Sequence, residues 1–148
     1  MTPAEFVNKA IGVPWVRWRS DWHGMDCYGL LVLWHREVCG IEIGDVSADD
    51  PSQDGRIAAV VKHAFGSEPR IESLRSDMGW VECTPEPYAT CWMTYRDGAP
   101  THCGVLLDVG RVLHSDGSDE RGGGSVRVSR LKAMELRCGA IKYYRREQ

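Results

Sequence analysis

The pattern of apolar and polar positions at the start of the chain predicts a short helix followed by a loop. Apolar residues recur at helical spacing between Pro3 and Ala10. Thr2 and Glu5 have the spacing of a capping box, and proline is favoured at the first position of a helix. We therefore expect a helix over this segment and an irregular, tryptophan-rich loop over residues 15–24.

A second apolar pattern with helical spacing runs from Cys27 to Val38. Asp26 precedes it and belongs to the residue types that cap helix N-termini, whereas Gly40 follows it, where glycine commonly ends a helix. The pattern predicts a helix whose first residue is a cysteine.

In the C-terminal half, short β-rich runs separated by turn formers predict an antiparallel meander. The predicted strands are Tyr88–Tyr95, Thr101–Asp108, Arg111–His114, Ser125–Val128 and Gly139–Tyr144, with turns at 97–100, 109–110 and the glycine-rich 115–124. Ser129 is expected to cap a last short helix over Arg130–Leu136. Helices followed by a meander predict an α+β fold, with N-terminal helices packed on a central antiparallel sheet of about five to six strands.

The middle of the chain differs from both halves. Turn formers dominate residues 45–55, and helical spacing returns over Gly55–Phe65, so we expect a helix-loop insertion around 45–80. No linker, repeat or low-complexity block divides the chain, and its 148 residues are enough to bury one core. The expected organisation is a single domain over 1–148.

The composition and net charge of the chain do not indicate a binding partner. The chain is 43% hydrophobic and 26% charged with a net charge of −3, which gives no general attraction to nucleic acid or to anionic membranes. No apolar run approaches the ~18 residues of a membrane span, and the N-terminus lacks the regions of a signal peptide. We expect no nucleic-acid or membrane partner, and synthesis in the cytoplasm without a signal peptide.

The cysteine spacing favours free thiols over a metal site. The six cysteines are Cys27, Cys39, Cys83, Cys91, Cys103 and Cys138. A chain of this length without a secretion signal is expected to keep them mostly reduced. Structural zinc sites usually contain two close pairs of ligands, which are absent from this sequence, so we predict no metal and no cofactor.

Cys27 is the strongest candidate for chemistry. A cysteine at a helix N-terminus titrates at ~3.5–7.5 rather than ~8.5, because the helix dipole and nearby cations favour the thiolate. Backbone amides of the first helical turn also point toward the place where an oxyanion forms at an attacked carbonyl. This position predicts a thiol nucleophile.

Two histidines complete the candidate site. Alternation along the strand places His102 on the same face as Gly104 and Leu106. If the next strand folds back through the turn at 109–110, His114 comes to the same open end of the hairpin as His102. We expect His102 to act as general base and then acid, and His114 to fix the tautomer of His102.

These motifs resemble those of the NlpC-type cysteine peptidases, which are papain-like enzymes of cell-wall peptides. The residues that carry the resemblance are Asp-Cys-Tyr-Gly-Leu at 26–30, His-Cys-Gly-Val at 102–105 and a second histidine at 114. The resemblance spans nearly the whole chain and implies a papain-like fold. It also implies that Cys27 is the nucleophile, His102 the base and His114 the orienting third member.

The chain looks most like the phage tail-assembly or tail-tip branch of that family. The features that suggest this branch are the sequence of residues 24–30, the single compact domain and the lack of cell-wall-binding repeats. This likeness implies a peptidoglycan peptide as substrate and other phage tail proteins as partners. It also implies synthesis in the host cytoplasm and a final location in the virion tail.

The chain departs from the family pattern around the thiol. Trp15 stands where many members have a tyrosine, and it offers an indole N–H instead of a hydroxyl. Tyr28 replaces a common serine, the usual Gly-Asp pair before the His102 strand is missing, and the separation from Cys27 to His102 is longer than usual. We expect Trp15, Asp26, Tyr28 and the loop residue His23 to contact substrate.

Two other functions fit the same sequence. The first is a structural tail-assembly protein on this fold with little or no peptidase activity. The second is a papain-like amidase or acyltransferase that acts on another amide, because a fold and a triad do not fix the substrate.

Overall fold

The computed structural model describes residues 1–43, 79–95, 102–108 and 110–147, and the elements below are numbered within these ranges. The helices are α1 (Pro3–Ala10), α2 (Cys27–Trp34) and α3 (Leu131–Arg137), and α2 continues into a π-helical turn over His35–Cys39. The strands are β1 (Ser20–Asp21), β2 (Gly24–Met25), β3 (Trp80–Cys83), β4 (Thr90–Tyr95), β5 (His102–Asp108), β6 (Arg111–Ser118), β7 (Gly123–Arg130) and β8 (Cys138–Arg146).

Six of the strands form one sheet in the order β3-β8-β4-β5-β6-β7, and every neighbouring pair is antiparallel. The strands β1 and β2 form a separate small hairpin just before α2. An antiparallel sheet with helices that precede it confirms the predicted α+β fold, including the expected number of strands.

Both N-terminal helices begin as their sequences predict. Thr2 and Glu5 form a reciprocal capping box at the start of α1. Asp26 is the N-cap of α2, with extended backbone, and its side chain accepts a hydrogen bond from the Gly29 amide. The π-helical turn ends at Gly40, whose φ of 68° is the left-handed conformation that glycine adopts without strain.

The sheet is covered on both faces, and this arrangement places the candidate site. One face packs against α1 and α2 and contributes Cys103, Val105 and Leu113 to the main core. On the other face, Leu106 and Val112 pack beneath the α3 residues Leu131 and Met134. Residues that alternate along β5 and β6 therefore belong to different cores.

Three predictions about the elements need correction. The strands β6 and β7 extend into the glycine-rich segment, where Gly117 pairs with Gly124 and a Cβ on Gly117 would lie 2.7 Å from Trp15 Cβ. Gly117 therefore lies in a strand and allows close packing against Trp15; it does not belong to a loop. Ser129 does not cap α3, whose N-cap is Arg130 without a side-chain cap.

The third correction concerns two segments that form strands although no strand was predicted in them. The edge strand β3 pairs with β8, and a short hairpin over residues 20–25 includes the end of the predicted loop 15–24. The predicted helix over Gly55–Phe65 and almost all of the insertion lie outside the described residues. Among the residues that are described, no helix is long and apolar enough to cross a membrane.

Candidate active site

Asp26 joins the loop before α2 to the start of that helix. Its Oδ1 accepts from the Gly29 amide at 2.7 Å, and its Oδ2 accepts from the Trp18 amide at 2.8 Å. Trp18 has a positive φ of 66°, which few residues other than glycine adopt. The carboxylate therefore satisfies two backbone donors and fixes the loop against the first turn of α2, where Cys27 lies.

Cys27 occupies the first position of α2, as predicted, and the residue is buried, with 8% of its surface exposed. Its thiol lies beside the thiol of Cys103 on β5, in the same core, and the two thiols interact. Burial raises the pKa of Cys103 well above its usual value, and the contact with Cys27 raises it further. Cys103 therefore remains a neutral thiol beside the candidate nucleophile.

The two predicted histidines meet at the open end of the β5–β6 hairpin. Val105 pairs with Leu113 and Leu106 with Val112, which sets His102 and His114 on a diagonal across the two strands. His102 Nε2 lies 2.8 Å from His114 Nδ1, and both side chains are buried. The two histidines therefore lie together, as the hairpin geometry predicted, whereas their catalytic roles stay predictions.

A serine extends this pair. His114 Nε2 lies 2.7 Å from Ser129 Oγ on β7, so the two imidazoles and one hydroxyl form a continuous hydrogen-bonded chain. Because β7 pairs with β6 along its whole length, Ser129 lies on the diagonal from His114. Ser129 was predicted to be a helix cap, and its contact with His114 was not predicted.

Strand alternation places the imidazoles and the Cys103 side chain on different faces of β5. Cys103 packs in the same core as Cys27. His102 instead pairs with Met93 of the neighbouring strand β4, and Met93 lies in the core beneath α3. The structure thus brings His102 and His114 together and sets Cys27 against the neighbour of His102 on the strand. The contact between Cys27 and His102 stays a prediction.

Both imidazoles are neutral at physiological pH. Burial, with a smaller contribution from His114, lowers the pKa of His102 to about 3. Burial also lowers the pKa of His114 to about 4, although the nearby Asp116 carboxylate opposes that shift. Neutral imidazole has one N–H and one lone pair, which is the state that a general base requires.

Asp116 lies beside the histidines and is surrounded by arginines. Burial raises the pKa of this carboxyl, but the hydrogen bond and the charge of Arg137 outweigh it and hold the pKa at about 2. Arg121 and Arg137 approach the Asp116 oxygens at 3.3 Å and Arg127 at 3.7 Å. Asp116 follows His114 by two positions on β6, so alternation was the signal that could have found it.

The donor atoms of His102, His114 and Asp116 lie within 4.8 Å of one another, which is close enough for a metal ion to be considered. Two features oppose that use. The two histidine nitrogens already share a hydrogen bond, and three guanidinium groups surround the carboxylate. An additional cation would meet three positive charges, so the arrangement fits a proton relay better than a metal centre.

The predicted substrate-contacting residues occupy different environments. Trp15 is half-buried against Gly117, and its amide donates to Gly124 O at 2.9 Å. Tyr28 is buried, and its hydroxyl donates to Ile43 O at 3.4 Å. His23 is exposed in the β1–β2 hairpin, and Asp26 serves as the helix cap. Their contacts with substrate stay predictions.

No protein-family model matches the chain, and a search of the curated proteins finds no match. A search of the solved structures finds the crystal structure of the NlpC/p60 domain of the peptidoglycan hydrolase SagA. The superposition has a TM-score of 0.55 with 18% sequence identity, and it covers 98% of this chain and 95% of that chain.

A likeness at this identity establishes the fold. The described helices and six-stranded antiparallel sheet have the α+β, papain-like fold of an NlpC/p60 domain. Cys27 lies at the start of a helix on one face of that sheet, and the histidine pair lies on two of its strands.

Proposed function

We propose that the protein is a cysteine peptidase that hydrolyses an amide bond in peptidoglycan stem peptides. The observation that carries the proposal is the buried His102–His114 pair in the sheet of an NlpC/p60 fold whose helix α2 begins at Cys27. Support for the substrate comes from the sequence motifs and from the peptidoglycan hydrolase that shares the fold.

The proposed reaction uses the thiol and one imidazole. Cys27 gives its proton to His102, and the sulfur attacks the amide carbonyl carbon, whose oxygen becomes an oxyanion near the first-turn amides of α2. The C–N bond then breaks, the amine leaves with the proton from His102, and a thioester remains. Water, deprotonated by His102, hydrolyses the thioester and restores the thiol.

This reaction requires the sulfur of Cys27 to come within ~3–4 Å of a His102 nitrogen in the complex with substrate. His102 is the first residue of β5, so its side chain lies at the end of the strand. Because alternation sets this imidazole and the Cys103 side chain on different faces of β5, the proposal requires His102 to turn toward Cys27 at the strand end when substrate binds. The closing of this distance is part of the proposal.

The contact between Cys27 and Cys103 favours a second candidate function. A buried thiol beside a second, neutral thiol fits a structural protein on the same fold. In that case the surface beside α2 serves assembly, and no muropeptide is cleaved. The two candidate functions predict different effects of removing the Cys27 sulfur.

We place the proposed enzyme in a phage tail, where it opens peptide cross-bridges so that the tail can penetrate the cell wall. The resemblance of residues 24–30 to the phage tail branch of the family supports this setting. Other tail proteins are then its partners.

Cleavage of purified muropeptides by wild type and by Cys27→Ala tests the proposal. We expect new amine and carboxyl termini from the wild type and no product from Cys27→Ala. Cys39→Ala is the matched control, because Cys39 is an exposed thiol at the other end of the same helical segment. Activity that survives in Cys27→Ala, or a wild type without activity on any muropeptide, would reject the peptidase.

The tail setting has a separate test. Phage particles that carry Cys27→Ala should assemble normal tails but deliver DNA poorly through intact cell wall. Failure of tail assembly in this variant would favour the structural alternative.

A further inference from the structure

Three arginines gather around Asp116 near the end of β6, next to the histidine pair. Arg121 lies in the turn between β6 and β7, Arg127 lies on β7, and Arg137 is the last residue of α3. Their guanidinium groups approach the Asp116 carboxylate at 3.3, 3.7 and 3.3 Å, respectively. We call these three residues the arginine cluster.

Asp116 anchors the arginine cluster without neutralising it. Burial raises the pKa of this carboxyl, but the hydrogen bond and charge of Arg137 hold it at about 2, so the group is ionised at neutral pH. One carboxylate thus faces three guanidinium groups. The two acidic residues of the nearby turn, Asp119 and Glu120, are exposed, and Asp119 pairs with Arg17. The excess positive charge around Asp116 attracts an anion.

This positive charge reaches the histidine pair. Burial is the leading cause that lowers the pKa values of His102 and His114, and charges of the arginine cluster lower both pKa values further. Arg127 is also paired directly with His114 across β6 and β7. Their side chains therefore project from the same face of the sheet, with Cβ atoms about 5 Å apart. An anion bound by the cluster would lie beside the imidazoles.

Two members of the cluster present guanidinium donors to solvent. The side chains of Arg121 and Arg127 are 59% and 60% exposed. The distance of 3.7 Å from Arg127 to Asp116 is too long for a hydrogen bond, so Asp116 does not take up the N–H groups of Arg127. A guanidinium has five N–H donors in a planar fork that matches the two oxygens of a carboxylate.

We propose that Arg121 and Arg127 bind a carboxylate of the peptide substrate beside the histidine pair. The inference rests on the proposed function, because it assigns a substrate contact next to the general base. A peptide offers this group from two sources, its C-terminus and the side chains of its acidic residues. Arg137 is a positioning residue in this arrangement, because it holds Asp116 in its ionised form.

The contact selects substrates by charge. A carboxylate gains charge-assisted hydrogen bonds from the two guanidinium groups, whereas a carboxamide at the same place offers only a neutral oxygen. Amidation of the bound carboxylate should therefore weaken binding without any change in the length of the peptide. Amidation elsewhere in the peptide should have little effect.

Titration calorimetry with full-chain Cys27→Ala measures this selection on uncut peptide. The ligands are a synthetic stem peptide with its carboxylates free, the same peptide amidated at its C-terminus, and the same peptide amidated at its acidic residues. We expect one amidated form to bind ~5-fold more weakly than the free form or worse, and that form identifies the source of the bound carboxylate.

The arginines are tested by adding Arg121→Gln and Arg127→Gln together. This variant should bind all three peptides with the affinity that the unaltered cluster has for the weakly bound amide. Arg111→Gln is the matched control, because Arg111 is an exposed arginine at the other end of β6 that pairs with Asp108. It should discriminate between the peptides as the unaltered cluster does.

Equal affinity of the unaltered cluster for the three peptides, or no binding of the free form, would overturn the inference. Discrimination that survives the loss of both arginines would do the same. If the double variant does not fold, Arg127→Gln should reduce the discrimination, whereas Arg127→Lys should retain it because the charge remains. Equal discrimination by these two variants would contradict the proposal.

Cleavage gives the second readout. In Arg121→Gln/Arg127→Gln with Cys27 intact, KM for the free peptide should rise ~5-fold, whereas KM for the weakly bound amide should stay unchanged. If the wild type binds the peptides but cleaves none of them, the proposed function fails. The three affinities still decide whether the arginine cluster binds a carboxylate in that case.

Discussion

Asp26 connects the two backbone segments that meet at the thiol. One of its oxygens caps α2 and the other holds the Trp18 amide, so a single buried carboxylate orders both the loop and the first helical turn. The sequence predicted the cap because aspartate before an apolar helical pattern has few other roles. It could not predict the bond to Trp18, which depends on how the loop folds back.

We predict that Asp26→Ala lowers the free energy of unfolding by about 1–2 kcal/mol, because a cap is lost and a second donor loses its acceptor. Urea denaturation followed by tryptophan fluorescence measures this change. Asp119→Ala is the control, because the Asp119–Arg17 ion pair is exposed and contributes little. Equal stability of both variants would contradict the dual role of Asp26.

The residues around the histidine pair show which contacts could be predicted from the sequence and which could not. Hairpin geometry placed His102 beside His114 because only the turn and the alternation were needed. Ser129 was missed because its spacing from a helix suggested a cap, and only the pairing of β7 with β6 reveals the bond to His114. The Cys103 contact with Cys27 was likewise outside the sequence pattern, because it depends on how α2 packs on β5.

At the scale of elements, the β5–β6 hairpin carries both histidines and packs tightly at Gly104. A Cβ on Gly104 would lie 2.6 Å from Leu113 O and 3.1 Å from His114 Cβ. The carbonyl oxygen belongs to the backbone of the partner strand, so it cannot rotate away. Gly104 therefore allows the two strands to approach where the histidine pair forms.

We expect Gly104→Ala to destabilise the protein by roughly 1–3 kcal/mol through this overpacking. Gly110→Ala in the turn of the same hairpin is the control, because a Cβ there would meet only Asp108 Oδ1, at 3.7 Å. Thermal unfolding of the two variants measures the difference. A Gly104→Ala variant as stable as Gly110→Ala would show that the strands can separate freely.

Elements with strong periodicity were predicted well and edge elements poorly. The helix α1 matches its prediction because its capping box and apolar face agree. The strand β3 was missed because it is short, lies at a sheet edge and is defined mainly by its pairing with β8. The ends of β6 and β7 were missed because glycines that serve close packing resemble turn glycines in a sequence.

At the scale of the whole molecule, coverage of the sheet on both faces buries three histidines as neutral groups. Burial is the leading cause that lowers the pKa of His35 to about 4, of His102 to about 3 and of His114 to about 4. In the unfolded chain the same imidazoles titrate near ~6.5. Below that pH the unfolded chain binds protons that the folded protein excludes.

Between pH ~7 and ~8 the free energy of unfolding should therefore be constant, and it should fall as the pH drops from ~6.5 toward ~4, by up to ~1.4 kcal/mol per pH unit for each histidine. Asp116, with its lowered pKa, adds a loss of the same sign only below ~4. Urea titrations at several pH values measure the slope, and His35→Gln should reduce it by about one third. A stability that stays flat from pH 7 to pH 5 would contradict the burial of neutral histidines.

The central claim, that Cys27 is a catalytic nucleophile, is tested most directly by the rate at which each of the six thiols is alkylated at neutral pH. Exposure alone predicts that Cys39, which is exposed, reacts before the buried Cys27. Activation at the start of α2 predicts the reverse order, because the thiolate is the reacting form. Mass spectrometry of iodoacetamide-treated protein should show Cys27 modified first and far faster than the others; modification of Cys39 first, or equal rates at all six, would contradict the account.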